Sequence, residues 1–309
     1  MNEYRLALKL MGSAFELVVV HEKEKEARHL LDTGIREIER IENLLSEFMP
    51  GSLTSQINNE AGIKAVRVTG EVYELTERCL QVSALTQGAF DISTKPLKAL
   101  YNFRNGNFHL PSKEIIRKTI INTGFKKIIL DPGDRSIFLS QKQMAISFAS
   151  VGKGYAADRV KQKWISDGVS SGVINASGDL TTIGQRSDGT PWKVGIAHPD
   201  KKDGIMFYLP VHNASMATSG DYEQYFLHQG TRYSHIINPK SGLPVKGIKS
   251  VSVISGSAEL SDALATAVYV MGIESGLFFI NQLPDTHCLI LDENNQSFFS
   301  KNLVLSYAT

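Results

Sequence analysis

The sequence predicts an α+β fold, with mixed sheets and interleaved helices in one large domain over residues 1–309. Three observations predict it. Segments of two-residue apolar alternation and segments of helical period succeed one another along the chain. Their succession lacks the regular strand–helix–strand rhythm of a doubly wound sheet. No repeat, low-complexity linker or compositional break divides the 309 residues, and a 42% hydrophobic content can bury a large core.

Residues 4–21 form the first expected strand pair: Leu6, Leu8 and Leu10 alternate, Met11-Gly12 interrupts, and the stretch from Phe15 to Val20 is β-rich. Over 22–48 the period turns helical. Leu30, Leu31, Ile35, Ile38, Ile41, Leu44, Leu45 and Phe48 make one stripe, opposite Glu, Lys and Arg. Pro50-Gly51 ends that helix, and a polar, glycine-led turn is expected over 51–58. A second helix over 71–86 carries Val72, Leu75, Cys79 and Val82 inward. Gly88-Ala-Phe-Asp-Ile92 is a tight connection into Pro96-Leu97, and 102–118 reads as a surface excursion. Strands resume at 127–130 and 136–139 around the turn-forming Asp131-Pro-Gly-Asp134. A short strand over 144–148 is expected to run into Ser150-Val-Gly-Lys-Gly-Tyr-Ala-Ala-Asp158, where the glycines open a helix reaching about Ile165. Further strands are expected near 172–174, 192–197, 205–211, 214–220, 233–237 and 250–254. Ser257 then caps a helix that Gly272 terminates. Residues 276–281 are helical, and two short strands close the chain.

Composition excludes several classes. Thirty-three Lys and Arg against 32 Asp and Glu give a formal charge of +1, without the basic excess of a nucleic-acid binder. Two cysteines, Cys79 and Cys288, cannot build a disulfide framework and read as structural thiols of a reducing compartment. The N-terminal residues lack a basic region followed by an apolar run, and no stretch approaches the roughly 18 apolar residues of a membrane span. A cytoplasmic protein without a membrane span is the expectation.

Within the 257–272 helix, Asp262 and Thr266 lie four apart and project from one face. Such oxygen ligands suit Mg²⁺, although Asp262 equally suits the helix dipole. Gly-Lys-Gly at 152–154 opens a helix whose free amides favour an anion, yet a tight turn also explains it. It matches neither a Walker A loop nor a dinucleotide fingerprint. Asn175-Ala-Ser-Gly-Asp179 and Thr218-Ser-Gly-Asp221 are small-residue loops that a ligand could approach closely. His235, beside the polar turn at 238–242, can reach a shared cleft. None of the eight histidines has zinc spacing.

Taken in order, these segments resemble the ApbE family of FAD:protein FMN transferases. The matching stretches are Met11-Gly12, 46–58, 88–92 with Pro96-Leu97, 151–158, 175–180, 218–222, 234–239 with Gly242 and Pro244, and Asp262-Ala-Leu-Ala-Thr266. The resemblance implies a Mg²⁺-dependent reaction that splits FAD and attaches FMN to a Thr or Ser of an acceptor flavoprotein, releasing AMP. It implies metal ligands at Asp262, Thr266 and Ser150. Flavin or adenosine contacts would fall at Met11, Phe48, Ala89, Phe90, Asp91, Ser147, Lys153 and the backbone near Ile237. His235 corresponds to an active-site histidine and would take the acceptor's proton, with Asp262 as its rival. Three positions depart from the family: Ser147 stands where Asp is common, Ser177 replaces a usual Gly, and Leu53 replaces an acidic residue. Hydrolysis of FAD to FMN and AMP, or FAD binding without chemistry, are the competing readings.

Overall fold

The computed structural model describes residues 1–103, 110–198, 201, 204–220, 225–228 and 231–307. The chain opens with β1 (Asn2–Leu10), β2 (Ser13–His21), α1 (Glu24–Leu45), α2 (Leu53–Asn59), β3 (Val66–Arg67) and α3 (Gly70–Leu85). It continues through α4 (Lys95–Lys98), α5 (Lys113–Ile120), β4 (Ile128–Asp131), β5 (Ser136–Leu139) and α6 (Gly152–Ser166). Then come β6 (Gly172–Ala176), β7 (Asp179–Ile183), β8 (Trp192–Ala197), β9 (Ile205–Val211), β10 (Ser215–Gly220), β11 (Tyr225–His228) and β12 (Thr231–Ser234). Last are β13 (Ile248–Ser255), α7 (Ala258–Met271), α8 (Ile273–Ile280), β14 (His287–Asp292), β15 (Ser297–Phe299) and β16 (Ser306–Tyr307).

The organising sheet runs β1-β2-β6-β7-β10-β13-β14-β15, and every ladder in it is antiparallel. With helices interleaved between its strands, this is the expected α+β architecture. Phe15, Leu17 and Val19 of β2 face Ile38 and Ile41 of α1 and Trp164 of α6 in the largest apolar cluster. The Trp164 indole N–H donates to the Leu30 carbonyl at 2.9 Å, so even the bulkiest core side chain leaves no polar atom unmet. Against the opposite face, a smaller sheet of order β16-β9-β8 packs Phe207, Leu209, Val194 and Ile196 onto Leu180, Met216 and Ile254. Covering both faces explains why all eight residues of β13 and all five of β7 are buried.

Four local expectations change. Residues 53–59 are helical rather than a turn, because Ser52 caps them by accepting from Ser55 N at 3.0 Å. The segment 144–148 is not a strand. Its polar backbone is satisfied by a side chain instead of a ladder: Asn58 Nδ2 donates to Ile146 O at 2.9 Å and Ile146 N donates to Asn58 Oδ1 at 2.7 Å. Helix α1 stops at Leu45, where Ser46 turns extended, so Phe48 leaves the expected apolar stripe and stands exposed. Thr218, Ser219 and Gly220 complete the expected strand as part of β10, while Asp221 and Tyr222 lie outside the described residues. The 102–118 excursion contains the start of α5, capped by Ser112, and its residues 104–109 likewise lie outside the described set.

Cys79 and Cys288 are buried free thiols. Burial pushes the Cys288 thiol up to about 12 and the Cys79 thiol strongly upward. Among the described residues no helix is long and apolar enough to cross a membrane.

Candidate active site

α7 forms as its residues dictate. Ser257 accepts from Leu260 N at 3.2 Å, Ala and Leu fill the interior, and Gly272 ends the helix with a φ of +87° that suits glycine. Asp262, 5% exposed, and Thr266 stand one turn apart on the same face. Asp262 Oδ2 accepts a long bond of 3.4 Å from Gly154 N, in the first turn of α6. Thr266 Oγ1 meets Ser219 Oγ of β10 at 3.1 Å.

The two glycines of the 152–154 turn have different reasons. A Cβ on Gly152 would make ordinary contact, 3.6 Å from Met11 Cε. One on Gly154 would stand 2.9 Å from Glu259 N and closer still to the Ala258 carbonyl. Only Gly154 is therefore required by packing, because backbone there meets backbone. Gly154→Ala is expected to cost about 1–3 kcal/mol as overpacking and to lower the thermal midpoint. Gly152→Ala is the control, with a midpoint near the parent's; equal midpoints for both variants would contradict the close approach.

Lys153 turns from the same α6 start to Asp179, with Nζ to Oδ2 at 2.6 Å. Asp179 is 2% exposed, and its Oδ1 accepts from Thr218 N at 3.2 Å. Met11 holds a φ of +49° at the β1–β2 turn, and its N–H donates to Glu42 Oε2 at 3.0 Å. Met11, Lys153, Asp262 and Thr266 thus gather about the N-terminal end of α6, and the half-buried Ser150 sits in the turn leading into it.

Three surrounding segments are stitched together. Asp91 Oδ1 accepts from Ser93 N at 2.8 Å and Ser93 Oγ at 2.6 Å, and its Oδ2 accepts from Phe125 N at 2.8 Å. Burial raises the Asp91 carboxyl above its ordinary range, and these hydrogen bonds work against the rise. Phe90 is fully buried, its N–H donating to Thr86 Oγ1 at 3.2 Å, and Ala89 is also buried. Ser147 N donates to Ile92 O at 2.9 Å, and Ser147 Oγ accepts from Ala149 N at 3.2 Å. Phe48 stands 83% exposed, next to Glu47, which pairs with Lys95 at 3.4 Å.

His235 belongs to another group of residues. It follows β12, and its ring lies edge-on to Phe103 at 6.5 Å. Phe103 continues to Phe226 at 5.6 Å, and Phe226 stacks on Tyr233 at 4.9 Å. Ile237 packs on Leu97 and Tyr101, and the Tyr101 hydroxyl donates to Gly242 O at 2.6 Å. Asn238 Oδ1 accepts from Lys240 N at 2.9 Å and Ser241 N at 3.2 Å, so the polar turn is built by its own side chain.

Chemically, the face turned to the α6 start offers the Asp262 carboxylate, hydroxyl oxygens, a lysine and a helix N-terminus. Among the described residues no three His, Cys, Asp or Glu side chains form a metal cluster. An all-oxygen set with few protein charges fits Mg²⁺, which binds through one or two carboxylates and leaves positions for phosphates. A cavity of about 1130 Å³ lies elsewhere, between α3, α6 and the start of α7; none of Lys153, Asp262, Thr266 or His235 lines it.

The model of the ApbE family matches residues 11–290. The chain belongs to the ApbE family. The FAD:protein FMN transferase of Klebsiella pneumoniae is 29% identical over 299 residues, covering 96% of this chain and 92% of that relative. The crystal structure of the ApbE protein of Thermotoga maritima superimposes with a TM-score of 0.89 at 30% identity, covering 97% of both chains. The flavinyl transferase ApbE of Pseudomonas stutzeri, solved in its apo form, gives 0.85 at 27%, covering 97% of this chain and 95% of that one. Ser177 holds the left-handed backbone that glycine favours, with a φ of +58°.

Three residues of this ApbE fold escape sequence reasoning as site components: Asp158, Asp179 and Ser219. Asp179 and Ser219 lie within motifs that sequence reading singles out as small-residue loops, but their partners, Lys153 and Thr266, are set by strand register. The signal for Asp158 is its spacing of four from Gly154, which puts both on the face of α6 turned to α7.

Proposed function

We propose that the chain is a FAD:protein FMN transferase, acting as one unit over 1–309 and in the cytoplasm. It cleaves the FAD pyrophosphate, joins FMN through a phosphoester to a Thr or Ser of an acceptor flavoprotein, and releases AMP. The observation that supports this best is the meeting of the Asp262–Thr266 face with the α6 N-terminus and Lys153. Family membership and the names of the matched relatives support it independently.

Asp262 and Thr266, with an oxygen from Ser150, would hold Mg²⁺. The ion supplies charge neutralisation at the two phosphates when bound. Lys153 and the first amides of α6 add fixed positive potential where negative charge develops. The acceptor hydroxyl oxygen attacks the FMN-side phosphorus, the bond from that phosphorus to the bridging oxygen breaks, and AMP leaves with the electron pair. His235 takes the hydroxyl proton on a ring nitrogen. Met11, Phe48, Ala89, Phe90, Asp91, Ser147 and the Ile237 backbone frame the flavin and adenosine. Chromatography of FAD incubated with the chain, Mg²⁺ and a threonine-bearing acceptor domain tests this: AMP should appear and EDTA should stop it, whereas FAD recovered intact under all conditions would refute it.

A further inference from the structure

The first turn of α7 is capped twice. Four helix-initiating amides need partners outside the regular ladder or at its edge. Ser257 provides for Leu260 N with its side chain and for Ser261 N with its carbonyl. The remaining two go to a carboxylate 100 residues away: Ala258 N donates to Asp158 Oδ1 at 3.0 Å, and Glu259 N donates to Asp158 Oδ2 at 2.9 Å. The Ser257 hydroxyl itself donates to Asp158 Oδ2 at 2.7 Å. One turn before Asp158 on α6, Gly154 lets the Ala258 carbonyl approach and donates toward Asp262. Asp158 at one end and Gly154–Asp262 at the other thus fix α7 both along and against α6. From the side, Arg78 of α3 grips Glu259 through Nε at 2.7 Å and Nη2 at 3.0 Å.

We infer that Asp158 is a positioning residue that sets α7 on α6 so that Asp262 and Thr266 face the Lys153 turn. The inference rests on the proposed metal role of Asp262. Asp158 acts through the backbone of residues 258 and 259, whose amides it holds. A helix clamp with no part in positioning would change stability alone, so the test must read something else.

The test compares the parent, Asp158→Asn, Asp158→Ala and Asp262→Ala, at a temperature where all four are folded by circular dichroism. Manganese binding in the presence of FAD is read from the free-ion resonance signal, and FAD binding in metal-free buffer from flavin fluorescence. Asp158→Asn is expected to weaken manganese binding about 10–100-fold, the range for outer partners of metal ligands. Its metal-free FAD affinity should stay near the parent's. Asp158→Ala should be weaker still, since Asn keeps one acceptor oxygen. Parent-like manganese binding in folded Asp158→Asn, with binding lost in Asp262→Ala, would overturn the inference and leave the metal assignment standing. Parent-like binding in Asp262→Ala would overturn the metal assignment and the inference together.

Discussion

Replacing Asp262 by Ala is expected to abolish metal-dependent AMP release while the protein still folds. Alanine is the best helix former, so α7 loses no propensity, and Ser257, Asp158 and Gly272 still define its ends. The electrostatic loss is large because no second carboxylate on α7 can substitute. Glu259 is engaged by Arg78, and Thr266 contributes a neutral hydroxyl. Losing the ion's charge neutralisation removes several kcal/mol from the transition state, on the order of 10²–10⁴-fold in rate. A magnesium titration of AMP release would show a flat line. Ordinary magnesium-dependent turnover in the variant would place the metal elsewhere.

His235→Ala is expected to separate binding from chemistry. The imidazole borders Phe103 rather than filling the core, and the turn after it is held by Asn238 and the Tyr101–Gly242 hydrogen bond. The fold and FAD binding should therefore survive. Loss of general-base assistance should slow transfer to the acceptor by about 10²–10⁴-fold. Flavin fluorescence quenching and single-turnover transfer, measured on the same preparation, check the two halves. An unchanged transfer rate would return His235 to a structural role.

What the sequence reveals and what it hides divide along the range of the interactions. The β1–β2 hairpin, the apolar stripe of α1 as far as Leu45 and both ends of α7 rest on signals within a few residues, and each stands where its residues predict, whereas Phe48 falls beyond the helix. α2 is concealed because Leu-Thr-Ser-Gln-Ile-Asn-Asn has a polar composition, and its N-cap Ser52 is buried only by the tertiary fold. The apolar run Met144–Phe148 imitates a strand, and only the distant Asn58 shows why it is not one. β7 carries a Leu-Thr-Thr-Ile segment without clean alternation, since a second sheet covers the face that would otherwise be polar.

The candidate site follows the same division. Asp262 and Thr266 are legible as a pair because they share one helix. The Asp179 partner of Lys153 and the Asp158 clamp require the sheet register and the α6–α7 contact, across separations the sequence does not display.

AMP release from FAD with magnesium, measured with and without a threonine-bearing acceptor domain, tests the central claim most directly. The account predicts AMP in step with a flavin-fluorescent acceptor band that survives denaturing electrophoresis, and neither product with EDTA. AMP released at the same rate without acceptor, and no fluorescent band with it, would contradict a transferase and identify a hydrolase.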